Sequence, residues 1–151
     1  MEQWYSINKK EDIDYLMQEF GGFHDACLVG STWSSGVYVD EQGSMCFGSA
    51  EDRRLHVVFH SQWMKDKALE LCFSGVRRHC LGGWQERYGY EMFDCYLKIH
   101  TDLQVGRDDP LIVWADGQGF SPLNILDRSL LAEPMWSYII ADKLQWRFIE
   151  K

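Results

Sequence analysis

A histidine and an aspartate that are adjacent in the chain, His24 and Asp25, are the first residues suited to acid–base chemistry. A histidine paired with a carboxylate is a common general base. Neighbouring residues of a regular strand point to opposite faces, so this spacing predicts no direct contact between the two side chains. We therefore predict a structural corner in which Phe23 is buried and His24 and Asp25 bond backbone groups. Ligand binding or catalysis by the pair is the alternative.

Two further carboxylates, Glu70 and Asp116, lie within or at the end of apolar segments, where a charge is unexpected. A buried carboxyl group with a raised pKa can act as a general acid or base. The structural alternative puts Glu70 on the outward face of a strand and makes Asp116 a cap at a strand end. We keep His24, Asp25, Glu70 and Asp116 as candidate binding residues and assign no catalytic residue.

Two histidines, His56 and His60, are four residues apart in a segment whose apolar residues alternate. On a strand they share a face but lie roughly 13 Å apart at about 3.3 Å per residue. Zinc–nitrogen bonds are only about 2 Å long, so the pair cannot hold one zinc ion. We predict that both histidines face solvent.

The five cysteines contain no Cys-x-x-Cys pair. Cys72, His79 and Cys80 form a zinc site only with a distant fourth ligand, and no spacing pairs a nucleophilic cysteine with a histidine. An odd number of cysteines in strand-like segments is typical of buried, reduced thiols. We expect no metal and no cofactor.

The elements that must position these residues begin with a helix over residues 8–20. Asn8 is the predicted N-cap, with Glu11 reaching back to it. One apolar stripe recurs at helical spacing, formed by Ile13, Leu16, Met17 and Phe20. Gly21 and Gly22 then supply the left-handed stop.

Strand-like patterns follow the helix. Residues 24–34 and 36–47 are predicted strands, the second with a hairpin turn near residues 40–43. Alternating apolar residues predict further strands within 55–60, 69–74 and 93–100, and the chain closes with strand-like sequence over 136–149. The continuous apolar run 111–116 predicts a central strand covered on both faces. Residues 117–134 read as a long connection with a short helical turn at 123–131.

These elements predict an α+β fold, mostly β. We expect an antiparallel sheet or sandwich of about seven or eight strands with one N-terminal amphipathic helix, in a single domain over residues 1–151. Hydrophobic residues make up 46% of the chain and aromatic residues 15%, which is enough for a packed core.

Charge and hydropathy limit the classes of binding partner and the location that we expect for the protein. The formal net charge is -8, which disfavours nucleic acid and favours a basic protein partner or simple solubility. The sequence has no run of about 20 apolar residues and no signal-peptide pattern at its start, so we expect a cytoplasmic protein that has no membrane span.

Three segments carry a family resemblance: the stretch FGGFHDA at 20–26, LELCF at 69–73 and WAD at 114–116. Together they resemble a loose set of small bacterial β-rich proteins with a Phe-His-Asp motif. Some of these are similar to immunity proteins encoded next to secreted polymorphic toxins, in which Trp-Pro-Ser or a similar lead replaces the Phe-Gly-Gly found here. The resemblance implies that Phe23, His24 and Asp25 define the fold. It implies no catalytic residue.

Three functions are consistent with these observations. The first is a non-enzymatic protein-binding module, in its specific form an immunity-type inhibitor of a toxin. The second is a small enzyme in which His24, Asp25, Glu70 or Asp116 meet in one pocket. The third is a structural protein that self-associates through the open edges of its sheet into a homo-oligomer.

Overall fold

The computed structural model describes residues 3–83, 90–124 and 135–151. In this part of the chain there is one α-helix, α1 (Lys10–Glu19), and ten strands. The strands are β1 (Tyr5–Ile7), β2 (Ala26–Ser34), β3 (Tyr38–Val39), β4 (Met45–Cys46), β5 (Arg54–Ser61), β6 (Met64–Cys80), β7 (Glu91–Met92), β8 (Tyr96–His100), β9 (Leu111–Ala115) and β10 (Tyr138–Glu150).

One antiparallel sheet contains eight of the described strands, in the order β7–β2–β5–β6–β10–β9–β8, with β1 also paired to β10. β10 is long enough to pair with β6 along one edge and with β9 and then β1 along the other. Strands β3 and β4 form a separate two-stranded hairpin. The predicted mostly-β fold with one N-terminal helix is confirmed, in its sheet form rather than as a sandwich.

Helix α1 covers one face of the sheet, which we call the inner face. Ile13, Leu16 and Phe20 are buried on this face, in a cluster that also contains Trp114 and Trp146 from the strands. The predicted apolar stripe is therefore confirmed, because its period places these side chains on one side of the helix.

The start of α1 differs from the prediction. The helix begins at Lys10, and Asp12 rather than Glu11 satisfies the free amides of the first turn. Asp12 Oδ2 accepts hydrogen bonds from the backbone N–H groups of Asn8, at 2.8 Å, and Lys9, at 3.0 Å. Asn8 is thus a backbone donor and not the N-cap, since a carboxylate placed three residues past Lys9 reaches both amides.

The opposite, outer face of the sheet is covered only in part. At β8, β9 and β10 a second cluster, containing Tyr96, Val113, Phe120 and Tyr138, buries this side. All five residues of β9 are consequently buried, which confirms the predicted central strand. At β5 and β6 the outer face instead carries polar side chains.

Several predicted boundaries shift. The strand predicted over 24–34 begins at Ala26, and that predicted over 93–100 begins at Tyr96, leaving Phe93 exposed. The predicted hairpin turn in 36–47 is confirmed: Asp40 Oδ1 accepts from the N–H groups of Gln42 and Ser44. Of the helical turn predicted at 123–131, most lies outside the described residues. None of the described helices has the length and apolarity that crossing a bilayer requires.

Candidate functional site

A polar network lies on the outer face of β5, β6 and β10. Strand register places His56 opposite Cys72 and Arg147 opposite Glu70. These residues alternate with the buried residues of the inner face, so all four side chains point away from α1.

Glu70 is the centre of this network. Its Oε1 lies 2.8 Å from Nδ1 of His56, and its Oε2 accepts a hydrogen bond from Nε of Arg147 at 2.7 Å. The Glu70 side chain is only 12% exposed, against 36% for His56 and 28% for Arg147. Burial raises the pKa of Glu70, but the hydrogen bonds from Arg147 and His56 outweigh it, and the pKa lies below the ordinary glutamate value. Glu70 thus lies on the outward face of its strand, as the structural alternative predicts, and its lowered pKa does not suit a general acid.

Cys72 extends the network on the other side of His56. Its Sγ lies 3.5 Å from Nε2 of His56, within hydrogen-bond distance for sulfur. Burial raises the pKa of the Cys72 thiol, so the resting group is a thiol rather than a thiolate. Sixteen positions separate Cys72 from His56 in the chain, so their spacing in the sequence did not predict a cysteine–histidine pair.

An indole ring closes one side of the network. The guanidinium carbon of Arg147 lies 4.4 Å from the centre of the Trp4 ring, and that ring also meets His56 edge-on, with centroids 6.4 Å apart. The prediction that His56 simply faces solvent is wrong, because its ring is held between Glu70, Cys72 and Trp4.

The His24–Asp25 corner has a geometry that regular strand rules do not predict. His24 Nδ1 lies 2.9 Å from Asp25 Oδ2, although the two were expected to point apart. Asp25 has a φ of +57° and Phe23 a φ of +63°, so the chain is left-handed on both sides of His24. Phe23 is fully buried, as predicted.

The backbone of Asp25, not its side chain, ties the corner to the sheet. Its N–H donates to the carbonyl of Met92 and its carbonyl accepts from the N–H of Gln62, both at 3.0 Å. The side chains of His24 and Asp25 pair with each other and are exposed. Asp25 also lines an open depression with His60.

Asp116 lies at the end of β9, where it is half-buried beside a cavity of about 20 Å³. Its Oδ1 accepts a hydrogen bond from the N–H of Ser137 at 3.2 Å. Burial raises the pKa of Asp116 to about 6, against the opposing effect of that hydrogen bond. Asp116 therefore has the contact of a strand-end cap, which is the structural alternative in the sequence analysis. Tyr90 and Glu91 line the same cavity.

The raised pKa of Asp116 predicts how the stability of the folded protein depends on pH. Because the folded-state pKa is higher than the ordinary 3.8, the folded protein loses stability as pH rises from about 4 to about 6. We expect Asp116→Asn, which keeps the oxygen that accepts from Ser137, to be more stable than the wild type above about pH 6, by up to about 3 kcal/mol. Urea unfolding at several pH values measures this gain.

Glu91 lines the same cavity but is exposed to solvent, so Glu91→Gln is the matched control. It should leave the pH dependence of unfolding between about pH 4 and 6 unchanged. A gain for Asp116→Asn that is the same at pH values below and above this interval would contradict the assignment to Asp116.

The four candidate binding residues do not share partners in the structure. His24 and Asp25 pair with each other, Glu70 joins His56 and Arg147 on the outer face, and Asp116 bonds Ser137 at a strand end. Across the described residues, no three histidine, cysteine or acidic side chains meet in a group able to hold a metal ion.

A second surface, which we call the hairpin patch, consists of apolar side chains on or next to β3 and β4. Val39 pairs with Met45, so the side chains of the patch share one face, whereas Tyr38 points to the opposite face with Cys46. The members of the patch are between 44% and 64% exposed: Val37, Val39, Met45 and Phe47. The base of the hairpin is narrow, since a Cβ atom at Gly48 would lie 2.7 Å from the carbonyl oxygen of Gly36. Both glycines have positive φ, which suits this close approach.

The segment that carries the hairpin patch is acidic. Residues 34–52 contain Asp40, Glu41, Glu51 and Asp52 and no lysine or arginine. Asp40 and Asp52 also shape the segment, by accepting hydrogen bonds from the backbone of Ser44 and Ser49. The hairpin segment itself is therefore acidic, with Lys143 paired to Glu51 and Arg54 beside Val37 as the nearby basic groups.

Comparison of the chain with protein-family models, with curated proteins and with solved structures finds no match. The function must therefore be argued from the geometry of the two surfaces.

Proposed function

We propose that this protein is a non-enzymatic protein-binding module and that the hairpin patch is its contact surface. The observation that carries this proposal is the set of four exposed apolar side chains on one face of a hairpin that pairs with no other described strand. Contiguous apolar surface of this kind is characteristic of interaction sites, whereas single exposed apolar residues are ordinary.

The chemistry of the patch indicates the partner. Phe47 and Met45 are the largest side chains of the patch, and aromatic residues and methionine are enriched at protein interfaces. The acidic residues around them, with the net charge of -8, favour a partner whose apolar groove has a basic border. Opposite charges at such a border increase the association rate and reject acidic competitors.

The specific form of the proposal is an immunity-type inhibitor that occupies a basic toxin. The FGGFHDA stretch at residues 20–26 supports it, through its resemblance to immunity proteins. The acidic hairpin patch supports it through charge, because a basic toxin surface would be attracted to it. The partner to test first is the product of the gene adjacent to the one that encodes this chain.

The test is a pair of substitutions on one face of the hairpin, Met45→Ser and Phe47→Ser, in one variant. With the purified neighbouring gene product as the binding partner, we expect the variant to raise the Kd at least about 30-fold, because losing an interface anchor removes about 2 kcal/mol or more. Titration calorimetry measures the change. Both residues are exposed, so the unfolding temperature should change little.

Val105→Ser is the matched control, because Val105 is fully exposed but lies between β8 and β9, outside the hairpin patch. It should bind as the wild type does. Equal affinity of wild type and double variant would refute the contact surface. If the patch instead joins two copies of this chain, light scattering will report a dimer that the double variant converts to a monomer, and the proposal of a separate partner fails.

A further inference from the structure

The outer-face network has the arrangement of a nucleophile, a base and an orienting carboxylate. Cys72 Sγ lies 3.5 Å from Nε2 of His56, and His56 Nδ1 lies 2.8 Å from Oε1 of Glu70. A nucleophile within hydrogen-bond distance of a base that is itself oriented by a third group is the geometric signature of covalent catalysis. We propose that Cys72, His56 and Glu70 form a nucleophilic thiol site that accepts a small acyl group from an activated ester or thioester.

Glu70 determines which nitrogen of His56 is free to act as a base. An ionised carboxylate only accepts hydrogen bonds, so the short contact to Nδ1 requires the proton of the neutral ring to be on that nitrogen. Nε2 then carries a lone pair and faces the Cys72 thiol. Arg147 holds the second oxygen of Glu70, which keeps the carboxylate ionised and fixed in place. Glu70 and Arg147 are therefore positioning residues.

The step is a transfer of one acyl group with one proton. As Sγ of Cys72 attacks the carbonyl carbon, its proton moves to Nε2 of His56. The new bond joins sulfur to the carbonyl carbon, and the bond from that carbon to the leaving oxygen or sulfur breaks with its electron pair. His56 then gives its proton to the leaving group or to water, and the product is a thioester on Cys72. No oxidant or reductant is consumed.

The burial of the thiol limits the substrate. Cys72 is 9% exposed, and the ring of Trp4 closes one side of the network, so a small acyl group is favoured over a long or branched one. The guanidinium groups of Arg54 and Arg147 favour negative charge near Cys72, whereas burial and the carboxylate of Glu70 oppose it. These two cations are the groups that can stabilise the oxyanion that forms on the carbonyl oxygen during attack.

The experiment uses p-nitrophenyl acetate as the acyl donor and the whole protein as the acceptor. Release of p-nitrophenolate gives the rate, and mass mapping of peptides identifies which of the five cysteines gains the acetyl group. We expect Cys72 to be acetylated before Cys80, although Cys80 is exposed and Cys72 is buried. Acetylation of Cys80 first would overturn the proposal, because exposure alone would then explain reactivity.

Two variants test the base. His56→Asn should lower the rate at Cys72 at least about 100-fold at neutral pH, within the range that a positioned base contributes. Cys80→Ser, outside the network, should leave the rate at Cys72 unchanged. An undiminished rate in a folded His56→Asn variant would refute the role of His56.

The pH profile of the wild type tests the same point without a substitution that could unfold the protein. With His56 as base, the rate at Cys72 should rise and then level off as one imidazole loses its proton. An unassisted buried thiol would instead react faster at each higher pH, up to and beyond the ordinary thiol pKa. That continuous rise would overturn the proposal. Neither outcome involves the hairpin patch, so the protein-binding function is tested separately.

Discussion

Trp146→Ala is expected to lower the free energy of unfolding by about 4 kcal/mol, near the upper end for core substitutions. Trp146 is 1% exposed and joins three elements of the fold. Its ring stacks on Tyr5 of β1 at 4.6 Å, meets Tyr15 of α1 at 5.8 Å and meets Phe148 edge-on at 5.5 Å. Truncation leaves a cavity between helix and sheet that these aromatic neighbours cannot fill.

Urea unfolding followed by circular dichroism measures the loss for Trp146→Ala. Trp33→Ala is the matched control, because Trp33 is 44% exposed at the end of β2 and contacts His79 alone among the described aromatic rings. We expect Trp33→Ala to lower the free energy of unfolding by about 1 kcal/mol, because the exposed ring buries little apolar surface. Similar losses in the two variants would contradict the assignment of Trp146 to the core that joins α1 to the sheet.

The period of the apolar residues was sufficient to predict most of the fold. Burial alternates strictly along β5, as the period-two pattern of its apolar residues predicts. β9 is buried on both faces, as its continuous apolar run predicts. The helix could be predicted because its apolar stripe marks the helical segment and the double glycine that follows marks its end. These properties depend on local spacing, which a sequence displays directly.

The His56–Cys72 pair could not be predicted in this way, because it depends on register. Ser61 pairs with Met64 at the turn, and an unbroken register from that pair would place His56 opposite Leu69, which faces the core. The irregularity between Phe59 and Ser61 shifts the pairing by three residues and brings His56 opposite Cys72. A shift by an odd number exchanges the faces of a strand, so one local irregularity decides whether this network exists.

The corner was predicted, but the direct contact between His24 and Asp25 was not, for a different reason. The rule that adjacent residues point apart applies to regular strands, whereas Asp25 has a positive φ. Phe23 also adopts this conformation, at a cost of roughly 1–3 kcal/mol that its complete burial offsets. Its ring meets Phe20 at 5.0 Å and Phe59 at 5.2 Å, both edge-on. Packing of Phe23 thus selects the backbone that brings His24 and Asp25 together.

Glu70→Gln is expected to destabilise the protein by about 3 kcal/mol at neutral pH, because it removes the acceptor shared by two donors. Nδ1 of His56 and Nε of Arg147 both direct N–H groups at the carboxylate. A glutamine of the same size has one oxygen and one NH2 group, so Arg147 loses this ionic partner, and the contact with Nδ1 survives only if the proton of the His56 ring moves to Nε2. The Glu70 side chain is 12% exposed, so little water is available to replace the lost carboxylate.

The loss for Glu70→Gln should depend on pH in a defined direction. The pKa of Glu70 is lowered in the folded protein, so its stabilising effect is complete above the ordinary glutamate pKa and disappears as pH falls through the lowered value. Urea unfolding should therefore show different free energies of unfolding for wild type and variant at about pH 7. At about pH 3 the two free energies should be closer to each other.

Glu51→Gln is the control, because Glu51 also accepts from a basic side chain, Lys143 at 2.6 Å, but both groups are well exposed. Water solvates both of them when the ion pair is broken, so the change should be small beside that at Glu70. Equal effects at the two sites would mean that the outer-face carboxylate is no more than a surface ion pair. The larger, pH-dependent loss at Glu70 would instead show that the network is held rigidly, which is the condition for His56 to act on Cys72.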